Sequence, residues 1–251
     1  MPLLHLYERK PGVMKIADAA RKAHRFVSEH QQHFVGARYK ADVALVTDDR
    51  LPVFGGERPR EGFLTDLARA NVQFEVVFED RITRENLRRY QCVVVYDARL
   101  ISDESVAVLA GHARDGGRMI LYGRTGEMDR WGQQRRKNPM LADGPWKTAR
   151  DEAALLDFVR ENTTPLFQVV DCPYVLFTIT EAKRPSGGGF VVHLLDYRKH
   201  VLENVRVRCS GGEELRLLAL TPDCDRIIKG PTRDEWIIPR LGVYSILTVE
   251  R

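Results

Sequence analysis

The sequence has no long hydrophobic run. Its most apolar stretches, such as CVVVY at 92–96, stop far short of the roughly 18 residues that mark a membrane span, so a membrane-embedded chain is not expected. The opening MPLLHLYERKPG lacks an apolar core followed by a small-residue cleavage site, which argues against a secretory leader and for a cytoplasmic location. Cysteine is sparse. Cys92, Cys172, Cys209 and Cys224 are too far apart for the CxxC spacing of a zinc or redox site, and no metal is expected. Cys172 with Cys209, or Cys209 with Cys224, could bridge strands, but free thiols suit a reducing compartment better. A strong charge bias is missing too. The 39 basic and 35 acidic residues leave +4, dispersed except for RWGQQRRK at 130–137. Without a basic face or a recognisable module, nucleic acid is not expected as a partner. Neither GxxxxGK(S/T) nor GxGxxG occurs where a nucleotide fold would need it, and no cofactor is expected.

What is present has the composition of a globular protein, with 43% hydrophobic and 29% charged residues. A length of 251 residues suffices for one large domain or two ordinary ones. Over residues 14–36, Ile16, Ala19, Ala20, Ala23, Phe26, Val27 and Phe34 recur at helical spacing, predicting an amphipathic helix that needs a partner surface. His24, His30 and His33 lie on it and, with no third ligand in view, read as a polar helix face. From Ala41 strands and helices alternate. DVALVT, VQFEVVFED, QCVVVYDARL and GRMILYG read as strands. GFLTDLARAN, TRENLRRY capped by Thr83, SDESVAVLAGHARDG capped by Ser102 or Asp103, and RDEAALLDFVREN read as helices. The alternation predicts an α/β fold, a flavodoxin-like or Rossmann-like parallel sheet with helices on both faces. After Pro165, about eight short β-rich runs separated by turns such as RPSGGG and TPDCD predict a small all-β sandwich. The expected division is a helical segment at 1–40, an α/β domain at 41–163 and the sandwich at 164–251.

Open parallel sheets bind ligands beyond the carboxyl ends of their strands. Those ends carry Thr47, Asp48 and Asp49, then Phe78 and Glu79, then Asp97 and Arg99, then Arg124 with Glu127. In GGRMILYGRTGEMDRWG, residues 116–132, the frame YGRTG has the outline of a nucleophile elbow with Arg124 at its apex. A guanidinium cannot be deprotonated at working pH and so cannot attack a substrate. Thr125 has no base beside it in sequence, and His112, one helix earlier, reads as part of a solvated helix face. No catalytic residue is expected. Asp97, Glu127 and Asp129 have the chemistry of an acid/base pair, but loop carboxylates more often face water or cap helices. The candidate ligand-binding set is therefore Asp48, Asp97, Arg124 and Glu127 in the crevice, with Trp131 in the loop beyond. Trp146 is a further loop aromatic; Tyr174, Phe177, Tyr197, Trp236 and Tyr244 could stack on sugars, though core packing is their expected role.

Several of these runs resemble a known family. AHRFVSEHQQHFVGARYKADVALVTDD resembles the join after the catalytic barrel in family-42-like β-galactosidases and related glycoside hydrolases, where a helix leads into a trimerisation domain. YQCVVVYDARLISDESVAVLAGHARDGGRMILYGRTGEMD is similar to the core of that domain. GGFVVHLLDYRKHVLENVRVRC resembles the start of the β-domain that often ends such hydrolases, with Asp196 where asparagine is more usual. The resemblance implies a class I glutamine amidotransferase-like domain without its catalytic cysteine, in keeping with Arg124 at the elbow, and assembly as a homo-oligomer, a trimer. It also implies catalytic carboxylates on an amino-terminal barrel of roughly 250 residues, whereas about 40 residues precede the first strand here. The expected function is that of a non-catalytic accessory and oligomerisation region, with a hydrolase barrel as a further partner. A carbohydrate-binding module, and a small hydrolase using the crevice, are the alternatives.

Overall fold

The computed structural model describes residues 21, 24–48, 61–140, 144–172, 174–182, 189–196, 201–210, 216–220, 227–242 and 244–250. Helix α1 (residues 24–29) gives way to a single 3-10 turn, Gln31–His33, and the chain reverses at Gly36, whose φ of +71° suits glycine. The helix predicted over 14–36 therefore ends sooner, and its residues 14–20, 22 and 23 lie outside the described set. Strand β1 (Arg38–Tyr39) then pairs antiparallel with Thr180 and Glu181, far along the chain.

The alternating region forms a parallel sheet of β2 (Val43–Val46), β3 (Phe74–Val77), β4 (Cys92–Tyr96), β5 (Met119–Tyr122) and β6 (Lys147–Thr148), in the order β3-β2-β4-β5-β6. Every residue of β2 and β4 is buried, as uninterrupted apolar strands covered on both faces must be. Helices α2 (Glu61–Arg69) and α5 (Glu152–Asn162) cover one face through Phe63, Leu67, Leu155, Phe158 and Val159. Helices α3 (Arg84–Leu87) and α4 (Asp103–Arg114) cover the other through Leu87, Leu109 and Ala113. Thr83, Ser102 and Asp151 start three of these helices, their side-chain oxygens accepting the N–H groups of Asn86, Ser105 and Ala154. His112 departs from its expected solvated position. It is 8% exposed, because Gly117 leaves room for the imidazole against the backbone: a Cβ there would lie 2.2 Å from Nε2.

The rest of the chain builds two antiparallel sheets from β7 (Phe167–Val170), β8 (Val175–Ala182), β9 (Gly189–Asp196), β10 (Leu202–Cys209), β11 (Arg216–Leu220), β12 (Ile228–Lys229), β13 (Glu235–Leu241) and β14 (Tyr244–Glu250). One sheet runs β1-β8-β9-β14-β11 and the other β12-β13-β10-β7. Phe167, Phe177, Ile179, Leu194, Val207, Trp236 and Ile238 share the core between them. In β10, Val205, Val207 and Cys209 point inward while Arg206 is exposed, the period-two pattern of a strand with one wet face. Phe26 of α1 packs outside the first sheet on Val191 and Ile246, so the partner surface of that helix is the sandwich. His33 is buried there, which removes it from the expected polar helix face. His193 in the same layer bonds Tyr244 Oη through Nδ1 at 2.7 Å and Thr180 Oγ1 through Nε2 at 3.2 Å. Burial, reinforced by His33, lowers its pKa to about 4. Among the described residues no disulfide forms, and burial pushes the Cys92 thiol up to about 12; Cys224 lies outside them.

Three carboxamides join the α/β part to the sandwich. Gln73 donates through Nε2 to the Phe177 carbonyl at 3.0 Å and accepts the Ile179 N–H at 3.2 Å, standing in for a neighbouring strand. Gln91 does the same for Thr164, accepting its N–H at 2.8 Å and donating to its carbonyl at 3.2 Å. Asn71, in the left-handed region at φ 62°, accepts the Val169 N–H at 2.9 Å.

Candidate functional site at the carboxyl ends of the parallel strands

The sheet order places its winding reversal between β2 and β4, where a crevice is expected. The chain itself occupies that place. After β4 the backbone turns at Asp97, φ 43°, and Ala98, Leu100 and Ile101 sink to 2% exposure or less across the strand ends. Asp48, after β2, accepts the Leu100 N–H at 3.1 Å. Glu79, after β3, accepts the Ser102 N–H at 2.6 Å. A second layer then forms over the sheet. Gly126 N–H bonds Ala98 O, Met128 N–H bonds Arg99 O, Ile101 N–H bonds Met128 O, and Arg135 N–H bonds Glu127 O.

The elbow frame has its turn but not its chemistry. Gly123, at φ +71°, brings the chain against Asp97 so closely that a Cβ would lie 2.7 Å from Oδ1. Asp97 Oδ1 accepts the Arg124 N–H at 2.7 Å. The exposed Arg124 side chain folds back on Glu127, with Nε 2.9 Å from one carboxylate oxygen and an Nη 2.7 Å from the other. Arg99 approaches Glu127 from beneath at 3.6 Å. Thr125 is 2% exposed and donates its hydroxyl to the Tyr122 carbonyl at 3.0 Å. Burial raises the Asp97 pKa, an effect opposed by the Arg124 N–H and by the Arg99 and Arg124 charges. The bond to Glu127 raises that of Arg124. Among the described residues here, the Thr125 hydroxyl is buried and bonded, and the carboxylates of Asp97 and Glu127 are both held by Arg124.

Asp97, Arg124 and Glu127 are thus brought together, and Asp48 is bonded to the adjoining loop. Trp131 is elsewhere. It projects at 73% exposure from the 129–133 turn, whose shape is fixed by Asp129 Oδ1 accepting the N–H groups of Trp131 at 2.9 Å and Gln133 at 3.0 Å. The Arg130 guanidinium lies 5.4 Å from its ring centre. Trp146 is half-buried and donates its indole N–H to the Met140 carbonyl at 3.1 Å, contrary to its expected exposure. Of the sandwich aromatics, Phe177 and Trp236 are core, Tyr174 is 52% exposed, and Tyr197 lies outside the described residues. Asp49 also lies outside them. Arg135 was not among the candidates. It braces the second layer by bonding Asp103 and the Ile101 carbonyl, an arrangement that its place in a basic run does not reveal. Among the described residues, no group of three or more His, Cys, Asp or Glu could hold a metal ion, and no helix is long and apolar enough to cross a membrane.

Comparison with solved structures places this architecture. The fold is shared with glycoside hydrolases. The α-L-fucosidase isoenzyme 2 from Paenibacillus thiaminolyticus superposes with a TM-score of 0.64 at 12% identity, over 91% of this chain and 51% of that one. The β-galactosidase from Bacillus circulans sp. alkalophilus gives 0.62 at 12% identity, over 89% and 44%. Gan42B, a GH42 β-galactosidase from G. stearothermophilus, gives 0.59 at 13% identity, over 95% and 44%. This chain therefore spans about half or less of the glycoside hydrolases that it matches. No family model matches the sequence, and no curated protein matches it significantly.

Proposed function

We propose that this chain is the accessory and oligomerisation region of a glycoside hydrolase, an amidotransferase-like, flavodoxin-like α/β domain carrying a β-sandwich and no catalytic centre of its own. The observation that carries this reading is the closure of the crevice by residues 97–101, with Asp48, Asp97 and Glu127 committed to backbone N–H groups or to arginine. The hydrolases that share the fold are about twice as long as the matched region or longer, which leaves room on them for a separate catalytic domain. In this reading a barrel performs hydrolysis, and the present region sets the contacts between three copies.

Light scattering on the eluting chain tests the assembly, and the expected mass is three times 28.7 kDa. In the same preparation, hydrolysis of chromogenic β-galactosides and α-fucosides is expected to match buffer. A strict monomer at high concentration removes the oligomerisation role, and turnover abolished by D97N removes the non-catalytic one. Carbohydrate binding is a second reading, favoured by the exposure of Trp131 on a turn that its neighbours hold rigid. Stacking of a sugar on that ring predicts calorimetric heat with an oligosaccharide panel that W131A abolishes.

A further inference from the structure

The opposite, amino-terminal edge of the parallel sheet is open. A cleft of about 410 Å³ lies there between α3, α4 and the turn into β5, lined by Arg84, Arg88, Tyr90, His112, Asp115 and Arg118 among others. Asp115 is the one carboxylate on this wall, and it holds Arg84 at 2.5 Å. Arg88 is exposed, and neither it nor Arg118 has a carboxylate partner among the described residues. Arg118 spends one nitrogen on the Asn162 carbonyl at 3.1 Å, which leaves the rest of its fork available. Three guanidinium groups against one carboxylate make the cleft strongly positive.

His112 completes the wall. The turn that seats it needs glycine at both positions: Gly116 has φ +89°, and Gly117 makes room for the imidazole. Burial, with Arg88 reinforcing it and Asp115 opposing it, lowers the imidazole pKa and keeps the ring neutral at pH 7. A neutral imidazole donates one N–H without adding charge.

We propose that this cleft binds a small molecule bearing a tetrahedral oxyanion, a phosphate or sulfate ester of about monosaccharide size, held by Arg84, Arg88 and Arg118 with His112 donating to one oxygen. Guanidinium forks match such oxygens in pairs, and three forks exceed what the two oxygens of a carboxylate accommodate. The volume lies within the range of small-molecule sites. A second cleft of about 390 Å³, lined by Val108 and Arg114, shares Arg84 and Asp115 with the first, giving the uncharged part of the ligand a direction in which to extend. The proposal is independent of the accessory role argued above.

Nuclear magnetic resonance titration of the labelled full chain tests it, using inorganic phosphate, inorganic sulfate, glucose 6-phosphate and glucose 6-sulfate at ionic strength matched with sodium chloride. Saturable shifts of the Gly117 amide and the His112 ring are expected with Kd of about 1 mM or tighter. The His112 titration moves upward on binding, because the bound anion favours imidazolium. R88A/R118A, whose substitutions are on exposed arginines, is expected to keep its Tm and to weaken binding by roughly tenfold or more, while R136A/K137A changes neither. Preference for one ester identifies the phosphoryl or the sulfuryl source. Shifts that follow ionic strength alone, or equal losses in both double variants, overturn the site. Binding of the inorganic ions without either ester means an adventitious ion only, and overturns it as well.

Discussion

Asp97 shows how a single residue fixes the shape of the crevice. Its φ of 43° lies in the left-handed region, which aspartate and asparagine tolerate better than alanine, and its carboxylate receives the Arg124 N–H. D97A is expected to lose about 1–3 kcal/mol in urea unfolding, from the conformation and the lost acceptor together, and D97N less than about 1 kcal/mol. Charge adds a pH dependence. Burial raises the pKa of both Asp42 and Asp97 above their unfolded values, so the folded chain retains protons that the unfolded chain releases. Both carboxylates thus oppose folding at neutral pH and cease to do so as the pH falls through their folded-state pKa toward the unfolded value of about 3.9. D42N/D97N removes this dependence. Its stability relative to the native chain is expected to be highest at pH 7 and to decline toward pH 4 in parallel denaturation curves; a constant difference would refute the assignment.

Helix starts provide the element-scale counterpart. S102A and D151A each remove a side-chain acceptor from the first turn of a helix, and each is expected to cost about 1 kcal/mol in thermal melts followed by circular dichroism. The caps at Thr83 and Ser102 were legible in the sequence because capping is local, and so were β2, β4 and β5, whose apolar runs admit little else; the Asp151 cap was found only in the structure. The two-residue strands β1 and β6 were not. Arg38–Tyr39 has no strand pattern of its own and becomes one only because β8 presents an edge to it. The crevice residues Asp48, Asp97, Arg124 and Glu127, and Arg99 with them, were found by their position after strands, but the pairing of Asp48 with the Leu100 N–H and of Glu127 with Arg99 crosses from one loop to another and carries no local signal. His112 was misplaced for a related reason: what buries it is the missing side chain of Gly117, across a turn.

At the scale of the molecule, the carboxamides of Asn71, Gln73 and Gln91 bond the α/β part to the backbone of the sandwich and its entry, and the two parts are expected to unfold together. Removing Gln73 strands a buried carbonyl and a buried N–H, so Q73A is expected to cost about 2–4 kcal/mol. Of the three tryptophans, Trp131 and Trp146 report on the α/β part and Trp236 on the sandwich core. In W131F/W146F, fluorescence follows the sandwich alone. Its unfolding midpoint is expected to coincide with that of far-ultraviolet dichroism, and Q73A/Q91A is expected to separate the two curves. Coincident curves in that variant would show that the joint does not couple the lobes.

The amides at this joint are uncharged, and that has a mechanical consequence. Added salt finds no opposite charges to screen in these three bonds, while mild acid reaches the joint at Gln91, whose Nε2 also donates to the Asp42 carboxylate at 2.8 Å. The joint is therefore expected to hold its grip through changes of ionic strength and to loosen first on the Gln91 side as the solution turns acid.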